Sequence, residues 1–200
     1  MSQLLYIFAN PKPRGESRTL RISDGFVGAY RDSHPQDTVI ELDLYKENIG
    51  FLTQESLLMH NVEPGTGRDH PQLKYAYQFL ESDKIVIAAP FWNLSFPAIL
   101  KAYLDYVTVS GITFKYTSQG PVGQCQGKKA VHIVTRGGAY GQEPLKSLEL
   151  GDRYLKTLFQ FLGFQEFTTI AAENMDRSST DVEAAVQSAI ADAQQKAKDF

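Results

Sequence analysis

The chain has little cysteine, no long apolar run and no marked excess of one charge sign. Its 200 residues include one cysteine, Cys125, so an intrachain disulfide is excluded and a reducing compartment is indicated. The net charge of -3, with basic residues scattered along the chain, argues against a nucleic-acid partner. No stretch approaches the roughly 20 apolar residues that cross a bilayer, and the first residues lack a signal-peptide pattern. We therefore expect a cytoplasmic protein that binds neither membrane nor nucleic acid.

The residues that most often build metal centres are not arranged for that purpose. The 4 histidines, His34, His60, His70 and His132, lack the spacing of metal ligands, so we expect no metal site and interpret them as surface or structural residues. Cys125 follows Gly123 in a polar loop and is interpreted as a thiol without a chemical role. A reactive thiol is the alternative, which general cysteine chemistry disfavours.

Short apolar runs alternate with amphipathic segments along the chain. The continuous apolar run Leu4–Ala9 is typical of a strand that is covered on both faces of a sheet. The predicted strands are Leu4–Ala9, Thr38–Leu42, Lys84–Pro90, Lys129–Thr135 and Phe167–Ala172. The predicted helices are Ser17–Tyr30, Gln72–Glu81, Pro97–Val107, Arg153–Leu162 and Asp181–Lys198. Because parallel strands need crossovers, this pattern predicts one α/β domain over residues 1–200, a doubly wound five-stranded parallel sheet with helices on both faces.

Two segments fall outside this alternation. Residues 113–121 are interpreted as an excursion with a turn, because Gly120 and Pro121 follow a short apolar stretch. Residues 45–68 give no clear pattern beyond one helical turn near Gln54–His60.

The loop after the first strand has the features of an anion site. Ligands of open parallel sheets bind beyond the carboxyl ends of the strands, where the strand order reverses. Asn10 follows the first strand, and Ser17, Arg18 and Thr19 stand where the first helix begins. Hydroxyls, helix N–H groups and the Arg18 charge suit a monophosphate, although an ordinary helix cap is the alternative. The loop matches neither GxGxxG nor GxxxxGK[ST], which disfavours a dinucleotide fingerprint or an ATP loop.

Two further loops follow the third and fourth predicted strands. Pro90–Phe96 offers aromatic side chains that could flank a planar ring and an amide, Asn93, that could contact its polar edge. Thr135–Gly141 carries adjacent glycines, which let the backbone approach a ligand closely. Core aromatic residues and a simple turn are the alternatives for these loops. Their placement at successive strand ends favours one shared ligand site.

Together these motifs resemble those of the FMN-dependent NADH-azoreductase family, which belongs to the flavodoxin-like quinone reductases. The resemblance covers nearly the whole chain and rests on Ser17–Thr19, Pro90–Leu94, Gly111–Gly127 and Thr135–Gly138. It implies a flavodoxin-like fold, bound FMN, and NADH or NADPH as the electron donor. It also implies a homodimer with each flavin near the subunit interface.

The resemblance assigns site residues position by position. The residues that would bind FMN are Asn10, Ser17, Arg18, Thr19, Pro90, Phe91, Trp92, Asn93, Leu94, Thr135, Arg136, Gly137, Gly138 and Tyr140. Asn93, Tyr116 and Phe161 would line the pocket of the acceptor. Trp92 is larger than the tyrosine that relatives often carry, so the resemblance leaves the preferred acceptor size open.

The reaction that the resemblance implies is a ping-pong cycle. A hydride would pass from NADH or NADPH to flavin N5, and a quinone or azo compound would then be reduced in the same place. The flavin would carry the chemistry, so no protein nucleophile or acid–base residue is expected. The alternatives are another NAD(P)H-dependent FMN reductase, a flavodoxin-type electron carrier, and a flavodoxin-like module without flavin. A net charge of -3 does not supply the strongly acidic face that carriers usually need.

Overall fold

A five-stranded parallel sheet forms the centre of the computed structural model, which describes residues 1–200. The strands of the chain are β1 (Gln3–Phe8), β2 (Thr38–Asp43), β3 (Lys84–Ala88), β4 (Phe114–Thr117), β5 (Gly120–Gly123), β6 (Lys129–Thr135) and β7 (Glu166–Ala172). The central sheet has the order β2-β1-β3-β6-β7, and every neighbouring pair is parallel. This confirms the predicted sheet, and its order reverses between β1 and β3.

Six α-helices connect the strands or follow them. They are α1 (Arg18–Ser33), α2 (Gln54–Leu57), α3 (Lys74–Glu81), α4 (Ala98–Val107), α5 (Gly151–Leu162) and α6 (Val182–Ala197). Helix α3 begins later than predicted because Pro71–Leu73 forms a 3-10 turn, and α5 begins 2 residues earlier than predicted. None of these helices has both the length and the apolar composition that a membrane crossing requires.

The two faces of the sheet carry separate apolar cores. Successive side chains of a strand point to opposite faces, and β1 shows this clearly. Leu5 packs in a core with α3, α4 and α5, whereas Tyr6 packs in a second core with α1 and α6. Helices therefore cover both faces, as the continuous apolar run Leu4–Ala9 predicts.

Strands β4 and β5 form a separate antiparallel hairpin, where the sequence predicts an excursion with a turn. Its base is fixed to the end of α5: the Cys125 N–H donates to the Leu162 carbonyl at 2.9 Å. Gly123 lies so close that a Cβ there would come within 2.1 Å of the Leu162 carbonyl carbon. Cys125 is buried in the core instead of lying in an open polar loop, and burial raises the pKa of its thiol to about 12. Such a thiol stays protonated at neutral pH, in agreement with its interpretation as unreactive.

Candidate functional site

A cavity of about 300 Å³ lies at the carboxyl ends of the central strands, beside the point where the strand order reverses. The predicted cofactor-binding residues that line it are Asn10, Ser17, Arg18, Thr19, Pro90, Phe91, Trp92, Thr135, Arg136 and Gly137. The other lining residues are Lys12, Glu16, Met175 and Asp176. The fold therefore brings all three predicted loops to one cavity.

Ser17 organises the beginning of α1. Its Oγ accepts the N–H of Leu20 at 3.2 Å and lies 2.7 Å from Nδ2 of Asn10, which donates to it. The predicted helix cap is thus confirmed, and Asn10 holds the capping hydroxyl in place. The first N–H groups of a helix have no partner within it, and the positive end of the 16-residue α1 dipole adds to their effect. Cap and anion site are therefore compatible at this position.

The guanidinium of Arg18 is held at the rim of the cavity by the segment that follows β7. Its Nη1 donates to the Met175 carbonyl and to the Asp176 carboxylate, each at 3.0 Å. The Arg18 charge is therefore shared with a carboxylate. Sequence reasoning considered the loops after three strands and missed Met175 and Asp176. The same rule, applied to the last strand, would have found them.

The N–H groups of Gly137 and Gly138 point to the same side of the loop after β6, whereas the Arg136 N–H donates to the Ala172 carbonyl at 2.8 Å. The carbonyls of Arg136, Gly137 and Gly138 accept the N–H groups of residues 175, 176 and 174 at 3.0, 3.1 and 3.4 Å. In a trans peptide the N–H points opposite to the carbonyl of the same peptide. The N–H groups of Gly137 and Gly138 therefore point away from the segment after β7, and neither has an acceptor within the protein. Two free donors stand side by side in this loop.

A side chain at Gly137 would collide with the segment that follows β7. A Cβ there would lie 2.4 Å from Oδ2 of Asp176. A methyl group at this position would therefore displace the Asp176 carboxylate, while the close approach of a ligand that the sequence predicts for this loop stays a prediction.

The side chain of Arg136 is buried among acidic partners. Its Nη1 donates to Oε1 of Glu173 at 3.0 Å, and its Nη2 lies 3.4 Å from Oε1 of Glu149. Its guanidinium carbon also lies 5.8 Å from the centre of the Phe91 ring. Neither glutamate was singled out from the sequence, because their partner is distant along the chain.

The loop after β3 has an uncommon backbone conformation. Asn93 and Leu94 have φ values of 50° and 69°, in the left-handed region that side chains other than glycine rarely adopt. Trp92 and Ser95 exchange backbone hydrogen bonds of 2.7 and 3.0 Å around them. The N–H groups of Asn93 and Leu94 have no acceptor within the protein, so this loop also offers free donors.

Several predicted site residues lie outside the cavity wall. Asn93, Leu94 and Gly138 belong to the two loops just described, and the Tyr140 ring packs against Phe91 with 4.5 Å between ring centres. Tyr116 and Phe161 each pack against the Phe114 ring, at 5.4 and 5.0 Å between ring centres. Their side chains are exposed, and their part in acceptor binding stays a prediction.

A buried group of hydrogen-bonded polar side chains lies at the start of α5. Nδ1 of His132 is 3.1 Å from Oδ1 of Asp152, which also accepts the Thr169 hydroxyl at 2.6 Å. Burial alone would raise the pKa of Asp152, but hydrogen bonding and attraction from His132, with the Thr169 and Lys156 bonds, lower it overall. Asp152 is therefore ionised in the fold, and His132 has a structural partner.

The fold and the cavity define a protein of the flavodoxin-like class. The strand order is the flavodoxin-like order, with the cavity at its switch point. A family model described as "Flavodoxin-like fold" matches residues 2–197.

Comparison with known proteins refines this class. The chain is 60% identical over 200 residues to an FMN-dependent NADH:quinone oxidoreductase 2 of Clostridium acetobutylicum, and 53% identical over 201 residues to an FMN-dependent NADH:quinone oxidoreductase of Caldicellulosiruptor saccharolyticus. Both alignments cover 100% of each chain. An azoreductase structure from Bacillus anthracis superposes with a TM-score of 0.88 at 31% identity, again over 100% of both chains. The chain belongs to this family of FMN-dependent NADH:quinone oxidoreductases and azoreductases, which confirms the resemblance found in the sequence.

The residues at the cavity fit FMN. A capped helix N-terminus suits its phosphate, and the free N–H groups of two loops suit the polar edge of its ring. The ring of Phe91 and the half-buried indole of Trp92 supply apolar surface beside these donors.

Proposed function

We propose that this chain is an FMN-dependent oxidoreductase that transfers two electrons from NADH to quinones and azo compounds. The observation that carries the proposal is one cavity with anion-binding groups at α1 and unpaired N–H donors in the loop of Gly137 and Gly138. Bound FMN supplies the redox chemistry, accepting a hydride from the donor and passing two electrons to the acceptor.

The residues of the chain bind and orient the cofactor. Ser17 and Thr19, with the N–H groups of the first turn of α1, would hold the phosphate, and Asn10 keeps the Ser17 hydroxyl in place. Lys12 adds a positive charge to the same wall. The N–H groups of Gly137 and Gly138 would stabilise the negative charge that develops on the ring during reduction. The residues predicted for FMN and acceptor binding are thus retained in this proposal.

The cycle is proposed to be ping-pong. Trp92 is 39% exposed and lines the cavity, so a planar substrate could reach the part of the cavity beside this side chain. Donor and acceptor would occupy this place in turn, because the nicotinamide must leave before an aromatic acceptor can stack there. NADH is the proposed donor, with NADPH as the alternative.

A homodimer is also proposed, with residues 1–200 of each chain forming one FMN-binding domain. One face of α5 carries exposed apolar side chains at helical spacing, opposite the buried face of the helix. These are Tyr154 and Phe161, together with Leu150, which directly precedes the helix. Exposed apolar side chains of this kind often mark an interaction surface. Sedimentation at several concentrations tests the dimer. A cytoplasmic location is proposed because that compartment supplies NADH and keeps a thiol reduced.

The experiment is an anaerobic titration of the purified chain loaded with FMN. NADH should bleach the visible absorbance of the bound flavin, and a quinone added next should restore it without NADH present. NADPH in a parallel titration compares the donors, and an azo dye compares the acceptors. Failure to take up FMN would contradict the proposal. Uptake of FMN without reduction by either nicotinamide would favour an electron carrier.

A further inference from the structure

We infer that Glu149 is a positioning residue that couples the two loops beside the flavin ring. Glu149–Gly151, here called the junction, runs from the end of a 3-10 turn to the first residue of α5 and contacts both loops. The inference rests on the proposed FMN site but concerns residues outside the segments that would touch the cofactor. It concerns the relation between the loop after β3 and the loop after β6.

The junction first fixes the loop after β3. The N–H of Leu150 donates to the Leu94 carbonyl at 3.0 Å. A Cβ at Gly151 would lie 3.3 Å from both Cα and the carbonyl carbon of Ser95, so the two backbones are in close contact. Leu94 has a φ of 69°, which costs on the order of 1 kcal/mol and persists only where the surroundings fix it. The junction supplies part of that restraint.

The junction then fixes the loop after β6 through a buried charge. Oε1 of Glu149 lies 3.4 Å from Nη2 of Arg136. The exposed fractions of these two residues are 8% and 5%, so water screens the pair little. On its other side, Arg136 donates to Glu173, which accepts the Gly141 N–H through the same oxygen at 2.6 Å. Arg136 is thereby fixed from two directions, with Gly137 and Gly138 next to it.

Glu149 also has a simpler role, which the test must separate from positioning. Its carboxylate accepts the N–H groups of Asp152 and Arg153 at 2.9 and 3.3 Å and so caps α5. A glutamine at this position keeps a side-chain oxygen for the cap but loses the charge that faces Arg136. The variant leaves the buried Arg136 with Glu173 as its remaining carboxylate partner, so the loop of Arg136 should rearrange.

The experiment compares Glu149→Gln with Glu166→Gln. Glu166 pairs with Lys129 at 3.4 Å at the start of β7, the end of the sheet away from the site, so it is the matched control. We expect the Glu149 variant to bind FMN on the order of tenfold more weakly, from the loss of one buried ion pair beside the loop, and the control to bind like wild type. The visible circular dichroism of bound FMN should change only in the Glu149 variant.

Hydrogen exchange of the cofactor-free protein provides a second readout. The hydrogen-bonded amides of Ser95 and Gly141 should exchange faster in Glu149→Gln, with no change in Glu166→Gln. If the single variant does not fold, the double variant Glu149→Gln/Arg136→Gln removes both buried charges and should show the same faster exchange and weaker FMN binding.

A lower melting temperature alone, with wild-type FMN affinity and loop exchange, would overturn the inference and leave Glu149 as a helix cap. Wild-type protein that fails to bind FMN would refute the proposed function, while the exchange of the cofactor-free protein would still decide the role of Glu149.

Discussion

Oγ1 of Thr19 and Oγ1 of Thr135 lie 2.6 Å apart, so one hydrogen bond joins the first turn of α1 to the last residue of β6. Both residues line the cavity, and Thr19 is 1% exposed. This bond fixes the anion-binding end of the cavity relative to the loop that begins at Arg136.

Replacing Thr135 with valine tests this connection. Valine keeps the shape of the side chain but leaves the buried Thr19 hydroxyl without its partner, which costs about 1–3 kcal/mol. We expect a corresponding loss in the free energy of unfolding, measured in urea, and weaker FMN binding in a fluorescence titration. Thr135→Ser retains the hydroxyl and should behave nearly like wild type. If serine and valine weaken FMN binding equally, the hydroxyl pair is not what orders the site.

Ser17→Ala should separate phosphate binding from helix stability. Loss of the cap should cost about 1 kcal/mol of stability. FMN binding should also weaken, whereas binding of riboflavin, which lacks the phosphate, should change little. Asp181→Ala is the matched control, because Asp181 caps α6 by accepting the Ala184 N–H at 3.0 Å. It should lose similar stability and keep its FMN affinity. An equal effect of Ser17→Ala on both flavins would contradict the phosphate assignment.

Gly137→Ala should disrupt the loop with the two free N–H groups. The new Cβ would meet Oδ2 of Asp176 at 2.4 Å, so the backbone or the Asp176 side chain must move. We expect FMN affinity to fall by about tenfold, in line with the loss of one charge-assisted hydrogen bond. Gly28→Ala is the control: no atom lies within 4 Å of a Cβ there, and α1 should gain about 0.4–1 kcal/mol. Unchanged FMN affinity in Gly137→Ala would show that the backbone there does not contact the cofactor.

Because of Asp37, the free energy of unfolding should depend on pH in the acid range. The Tyr30 hydroxyl and the Ser2 N–H donate to its carboxylate, each at 2.6 Å, and these bonds lower the pKa of Asp37 to about 2 from its usual 3.8. Because folding favours the ionised carboxylate, Asp37 contributes fully to the free energy of unfolding at pH values above its usual pKa of 3.8. This contribution is lost as the pH falls toward 2.

Urea unfolding of Asp37→Asn at several pH values checks this sign. The stability difference from wild type should be constant above about pH 5 and should shrink as the pH falls through about 4. Asp32→Asn, which changes an exposed carboxylate without an ion pair, is the control. A difference that grows in acid would contradict the assignment.

The sequence was sufficient to predict the sheet because buried parallel strands have an unmistakable composition. Runs such as Lys129–Thr135 coincide with the observed strand, and the alternation with helices implied the crossovers. The site location followed from the same reasoning, since only the carboxyl ends of the strands are open to a ligand.

Contacts between distant segments could not be predicted in this way. Nothing near Arg136 in the sequence indicates that Glu149 and Glu173 share its charge. The early start of α5 has the same origin, because Glu149 accepts N–H groups of its first turn. Asp176 was missed because the last strand end carries no glycine or aromatic motif.

The hairpin of β4 and β5 does not pair with the central sheet, so none of its residues contributes a hydrogen bond to that sheet. Its base is packed against the end of α5, while Thr117–Gly120 forms its free turn. Mutations at the exposed Ser118 and Gln119 of that turn should therefore cost little folding free energy, in contrast to changes at the strand ends. Changes at the tip of the hairpin need not disturb the strand ends around the cavity, because no hydrogen bond joins the hairpin to the central sheet.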